Sequence, residues 1–425
     1  MRPGLRTELL RMTTIGGNND MKVIEGKSIS CVQGIKAAGC AVGLKKSGKK
    51  DMGVIFSETP AVSAAVFTKN VVKAAPVLVD MEKVKNPVTR AFVINSGNAN
   101  ACTGEQGIAD VHAMAKRAAE LLGVDPEEVM IFSTGVIGQP MPMDVILPGI
   151  DKCVSELAHG GDAVHQAIMT TDTKEKCFFV ETEIGGKTVN VCGIAKGSGM
   201  IHPNMGTMLS YVVTDAAVTK DVLDIIQKKA THTTFNMVTV DGDTSTNDTA
   251  VLLANGCAGN PIIDKAEGED YEKLYEAIYF ISEKIAKAIA ADGEGASKMI
   301  EVNLTGADSE ETARLCARSV VASSLVKTAI HGADANWGRV LAAMGYSGAQ
   351  FDQMKVDVSF ESKKGEIDVF LQGVPQLFDE DRALEILKED VIIINIKMNS
   401  GSFDVKAWGC DLTKEYVAIN GDYRS

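Results

Sequence analysis

Thr207 stands between a glycine-rich, proline-broken loop and an apolar run, in the stretch KGSGMIHPNMGTMLSYVVTDA from Lys196 to Ala216. Gly206 before it can take strained backbone geometry without a Cβ clash, and Pro203 stiffens the approach. Met208, Leu209, Tyr211, Val212 and Val213 read as a buried strand that begins at the threonine. A Gly-Thr bond so placed suits an N-to-O acyl shift, in which the hydroxyl attacks its own preceding carbonyl and water resolves the ester. The cut would make Thr207 a new N-terminus, with a hydroxyl nucleophile and an α-amine in one residue. That amine has a reference pKa of about 7.7 to 8.0, so roughly a tenth is neutral base at pH 7. No separate histidine is required, and the six histidines form no Ser/His/Asp order. Read from its residues alone, the stretch also fits a threonine that merely opens a strand.

Other polar motifs have chemical and plain readings too. In STGVIG, Thr134 and Gly135 follow the apolar VMIF and place a hydroxyl and backbone amides at a strand end, suited to an oxyanion; the plain alternative is a turn. GNANACTGEQG and KGSGM match neither the dinucleotide fingerprint nor the P-loop pattern. DGDTSTND starts like a calcium loop at Asp241, Asp243 and Ser245, but Thr246 replaces the turn glycine and Leu252 the closing glutamate. It reads as a polar loop after the strand-like FNMVTV, close to a polar site. Without H-E-x-x-H or a zinc-spaced cluster, no metal is expected. The nine cysteines are scattered with no C-x-x-C, as buried apolar residues of a reducing compartment would be.

The elements that must position these groups are mixed. Leu274, Ile278, Ile281, Ile285 and Ile289 recur at three- and four-residue steps, one apolar helical stripe ending before Asp292-Gly293. Asp308 with Glu311 resembles a capping box opening a helix that carries Leu315, Val320, Val321 and Leu325 on to His331-Gly332. Ile300, Val302 and Leu304, then Val356, Val358 and Phe360, alternate as strands, and VIIINI from Val391 is a β-branched run. At 425 residues the chain should hold more than one core. With 43 basic and 56 acidic residues its net charge is −13, which disfavours nucleic acid and anionic membrane. No run of 18 apolar residues and no secretory signal occur, so a cytoplasmic protein is expected. Residues 1–20 read as a disordered leader, with Met1, Met12 or Met21 as the start.

KGSGMIHPNMGTML resembles the autoprocessing segment of the ornithine acetyltransferase family, the bifunctional glutamate N-acetyltransferases of arginine biosynthesis. The likeness continues through AAVFTKN, INSGNANACTG, STGVIG, MTTDT, TVDGDTSTND, DGEGASK, GADANWGR and the closing NGDYRS. It implies an α/β, layered α+β fold with an autoproteolytic N-terminal threonine nucleophile. Fragment 21–206 would be released by the cut from fragment 207–425, and two copies of each would assemble. It further implies that Thr207 is the nucleophile after scission of Gly206-Thr207, and that Thr134 and Gly135 form the oxyanion hole. Lys196, Glu294, Asn420, Ser425 and a threonine of the TTDT segment would bind substrate, Thr173 being favoured over Thr170 and Thr171.

On this resemblance the acetyl group of N-acetylornithine passes through an ester on Thr207 to glutamate, without a cofactor, and acetyl-CoA is a further possible donor. Two departures stand out: Gly206 where the family often has alanine, and Ser425 where its tail often closes on threonine. Two other functions fit the same residues, an N-terminal-nucleophile aminopeptidase that hydrolyses instead of transferring, and an uncleaved amino-acid-binding protein.

Overall fold

The computed structural model describes residues 21–202 and 208–422. Nine strands form the first sheet: β1 (Lys22–Val23), β2 (Ile35–Cys40), β3 (Met52–Phe67), β4 (Thr89–Asn98), β5 (Val129–Val136), β6 (Lys176–Ile184), β7 (Lys187–Lys196), β8 (Leu209–Thr214) and β9 (Thr249–Ala254). β3 joins its two halves. Through Ser57 it pairs with β2 and through Phe56 with β4, and from Val62 its ladder with β9 begins; the register with β4 slips between Phe56 and Ala61, where Pro60 cannot donate to a ladder.

The sheet folds back on itself at this slip, and strict period-two alternation shows it. Phe92, Ile94, Met130 and Phe132 of β4 and β5 share one core with Leu209, Tyr211, Val213, Val251 and Leu253 of β8 and β9. Phe132 meets Tyr211 edge-to-face, centroids 5.0 Å apart. The intervening residues Ala91, Val93, Val129 and Ile131 turn outward onto helices Ala75–Lys83, Gly104–Leu122 and Met143–Ser155. Val212, Ala250 and Leu252 turn onto helices Lys220–Thr233 and Glu269–Ala291. The result is a helix, sheet, sheet, helix stack, the layered α/β architecture expected.

Helix Glu269–Ala291 is the stripe read from Leu274 to Ile289. It packs on β6 and β7 and also reaches a second sheet of six strands. These are β10 (Met299–Ala307), β11 (Asp357–Ser362), β12 (Gly365–Leu371), β13 (Val374–Pro375), β14 (Val391–Lys397) and β15 (Phe403–Cys410). β10, β11 and β14 are the strands read from alternation. With sheets on both sides the helix buries even Glu283, Lys284 and Lys287, and Lys287 pairs with Glu301 at 3.0 Å.

Three readings need correction. The helix opened by Asp308 is two helices, Glu310–Ala322 and Ser324–His331, and the first is capped by Ser309, whose Oγ accepts the Thr312 N–H. Ser323 breaks it by accepting from Val326 N, and Leu315 and Leu325, expected to supply apolar packing surface, are exposed. FNMVTV is a short 3-10 turn with one bridge, Val238 to Trp408; it is buried throughout, and its apolar run reports burial instead of extension. Cys102 is exposed, while Cys40, Cys153, Cys192, Cys316 and Cys410 are buried. Among the described residues no helix is long and apolar enough to cross a membrane.

Candidate active site

A cavity of about 150 Å³ opens where β5 and β7 end and β8 and β9 begin. β4 runs parallel to β5, and β8 parallel to β9, which brings these ends together between the two sheet layers. Thr134 and Gly135 come from β5, Lys196 from β7 and Asp248 from the approach to β9. Glu294 follows the long helix, and Asn420 lies on the C-terminal helix Lys414–Asp422.

Each wall has a local cause. Gly135 has φ +135°, and a Cβ there would stand 2.4 Å from the Gly97 carbonyl carbon, so only glycine fits beside β4. Asn247 fastens the same strand end, its Nδ2 donating to Ser133 O at 2.8 Å and Ala99 O at 2.6 Å. Lys196 is 8% exposed, paired in register with Leu209, and forms no ion pair among the described residues. A cation so enclosed favours an anionic ligand. Glu294, 9% exposed, accepts from Asn420 Nδ2 at 2.7 Å. Gly199 lets its carboxylate close in, since a Cβ there would lie 2.3 Å from Glu294 Cδ.

A buried ion triad supports this wall. Lys176 Nζ lies 2.7 Å from both Asp172 and Asp292. Asp172 accepts the Gly197 N–H at 2.7 Å and the Thr170 N–H at 3.0 Å. Asp292 accepts the Thr173 N–H at 3.1 Å and also its hydroxyl. Burial alone would raise the Asp172 carboxyl, but Lys176, Lys196 and the Gly197 N–H hold it below the usual carboxylate range. One cation therefore fixes the TTDT segment, the end of β7 and the turn leading to Glu294.

The chain entering residue 203 is clamped as well. Asp241 accepts N–H from Met200 at 2.6 Å and Ile201 at 2.8 Å, and Thr244 Oγ1 donates to His202 O at 2.8 Å. The false calcium loop is thus a clamp on the residues before the expected cut. Arg318 Nη2 stands 3.1 Å from His202 Nε2, and His202 Nδ1 lies 3.0 Å from Thr239 Oγ1. Arginine can only donate, so Nε2 accepts and Nδ1–H donates to Thr239. Burial, then the Arg318 charge, pushes the imidazole down to about 4.

Of the sequence-derived site residues, Thr134, Gly135, Lys196, Glu294 and Asn420 line one cavity. Thr173 does not line it, its hydroxyl being held by Asp292; Thr170 and Thr171 do. Gly206, Thr207 and Ser425 lie outside the described residues, while Ile201 and Met208, on either side of the expected cut, line the cavity. Sequence reasoning missed Asp172, Lys176, Asp292, Gly199 and Asn247. Asp172 and Lys176 are four apart on a non-helical segment entering β6, so no local period pointed to their contact.

A family model described as the ArgJ family matches residues 36–425. The arginine biosynthesis bifunctional protein ArgJ 1 of Clostridium acetobutylicum is 49% identical over 406 residues, 95% of this chain and 99% of that protein. The arginine biosynthesis bifunctional protein ArgJ of Caldanaerobacter subterraneus is 52% identical over 407 residues, 95% of this chain and 100% of that protein. The crystal structure of the ArgJ protein of Bacillus halodurans is 44% identical and covers 51% of this chain and 100% of its own, with a TM-score of 0.49.

Proposed function

This chain belongs to the ArgJ family of arginine-biosynthesis acyltransferases, and from that premise we propose how its cavity moves an acetyl group from N-acetylornithine to glutamate. The Thr207 hydroxyl first attacks the Gly206 carbonyl, and hydrolysis of the ester leaves fragments 21–206 and 207–425. They remain together because β7 and β8, on opposite sides of the cut, pair from Val191–Thr214 to Lys196–Leu209.

In turnover the Thr207 oxygen attacks the acetyl carbonyl of N-acetylornithine while the Thr207 amine takes its proton. Thr134 and Gly135 hold the developing oxyanion. The C–N bond breaks, ornithine leaves with the proton, and an acetyl ester remains. The amine of glutamate then attacks that ester, giving N-acetylglutamate and restoring the hydroxyl, a ping-pong sequence. Lys196 pairs with a substrate carboxylate, and Glu294 with the cationic end of ornithine. Thr170 and Thr171 take the substrate role expected of the TTDT segment, and Asn420 with Ser425 closes the pocket from the C-terminal tail. The acetyl carbon, acceptor and nucleophile are all organic, and no step calls for a cofactor.

The observation that carries this reading is that two enclosed residues of opposite charge, Lys196 and Glu294, line the walls of one small cavity beside Thr134 and Gly135. A zwitterionic amino-acid derivative matches it at both ends. Acetyl-CoA serves as a second donor to the same ester, and two copies of each fragment form the working cytoplasmic assembly. The test is paired turnover: N-acetylornithine and, separately, acetyl-CoA, each with glutamate as acceptor. N-Acetylglutamate from both donors is expected. Acetate without N-acetylglutamate would overturn transfer in favour of hydrolysis.

A further inference from the structure

Four lysines within six positions, Lys45, Lys46, Lys49 and Lys50, stand out in a chain of net charge −13. They occupy the loop between β2 and β3, and two contacts place it against the cavity wall. Lys45 Nζ donates to Met169 O at 2.7 Å, next to Thr170. Leu44 and Lys45 lie against Gly97, whose register partner is Gly135. The loop is built, not loose. Asp51, fully buried, accepts N–H from Val42 at 2.7 Å and Lys45 at 2.9 Å. Lys45 also donates to Lys50 O, and Lys50 Nζ to Gly39 O, each at 2.7 Å.

Two lysines thus brace the loop, and two remain. Lys46 and Lys49 are exposed, and none of the four forms an ion pair among the described residues. Asp51 and Asp172 answer the charge of Lys45, but no carboxylate pairs with Lys46 or Lys49 among the described residues, so an anion beside them would offset their mutual repulsion. The cavity is about 150 Å³, and none of the four lysines lines it. A donor whose acetyl group entered it on a long arm would leave its head outside.

We propose that this loop is the docking site for the phosphate groups of a coenzyme A thioester, with Lys46 and Lys49 meeting the phosphates outside the cavity while the pantetheine arm delivers the acetyl group into it. The proposal rests on the acyl-transfer reading of that cavity. In the step it serves, the nucleophile's oxygen bonds to the thioester carbonyl carbon and the C–S bond breaks. Coenzyme A leaves as the thiol, carrying the proton taken from the hydroxyl, and the same acetyl ester remains.

The experiment compares the mature enzyme with the Lys46→Glu, Lys49→Glu double variant, using glutamate as acceptor and three donors. These are acetyl-CoA, S-acetylpantetheine, which lacks the nucleotide phosphates, and N-acetylornithine. With acetyl-CoA the variant's KM should rise about fivefold or more, and wild-type KM should climb with ionic strength. With the other two donors the variant and wild type should agree, which excludes a folding effect. Equal acetyl-CoA KM in both proteins would overturn the docking site and leave acyl transfer standing. No acetyl-CoA turnover by wild type, with N-acetylornithine active, would overturn it together with the second-donor reading alone.

Discussion

Asn420 Nδ2 donates to Glu294 Oε2 over 2.7 Å, joining residues 126 apart in the chain. The C-terminal helix is thereby part of the cavity wall. It is seated there by Thr413 Oγ1, which donates to Gly295 O at 2.7 Å, and by Gly295 itself, where a Cβ would stand 2.4 Å from Tyr416 N. One oxygen of Glu294 is spent on this contact, and the other accepts no hydrogen bond among the described residues.

Glu294→Gln keeps the shape and the Asn420 contact but removes the charge. KM for N-acetylornithine should rise tenfold or more, equivalent to about 1.4 kcal/mol. Gly199→Ala should act in the same direction by displacing the carboxylate, with steady-state kinetics as the check. An unchanged KM in Glu294→Gln would remove that residue from cation recognition.

Thr134→Val deletes a hydroxyl without changing the side chain's outline. Loss of one oxyanion donor should lower kcat by about 10²- to 10³-fold with the thermal midpoint preserved. Gly135→Ala should instead destabilise the fold, because its φ of +135° and the Gly97 backbone leave no space for a methyl group.

Lys176→Met strands two buried carboxylates. A stability loss of about 3 to 5 kcal/mol is expected in denaturant titration, from uncompensated buried charge. The wild-type triad should also respond to acid. Asp172 titrates below its unfolded value of about 3.9, so its contribution is present above that pH and is lost as pH falls below it. Acid unfolding curves of Asp172→Asn should lack this component.

His202 shifts the same balance at a higher pH. Its folded pKa of about 4 lies under its ordinary value of 6.5, so the native state resists a proton that the unfolded chain accepts. Stability from this group is present above 6.5 and lost as pH falls toward 4. Imidazole NMR should show one histidine neutral through pH 5, and Arg318→Gln should raise its titration point.

The long helix and strands β10, β11 and β14 were legible because apolar periodicity reports directly on a buried face. The break at Ser323 was not, since a serine cap inside an apolar pattern leaves the period intact. Thr134, Gly135, Lys196, Glu294 and Asn420 came from motif resemblance, and their convergence depends on parallel pairings that no local pattern encodes. Thr173 was the natural guess within TTDT, but Asp292 lies 119 residues away and takes its hydroxyl. Asp292 itself read only as a helix stop, for its ion pair with Lys176 exists only after the layers close.

The central claim is that Thr207 becomes a chain terminus, and intact-mass measurement with N-terminal sequencing of catalytically active protein tests it most directly. Two fragments are expected, the second reading Thr-Met-Leu-Ser, while Thr207→Ala should remain one chain without activity. A single uncut chain that still makes N-acetylglutamate would contradict it.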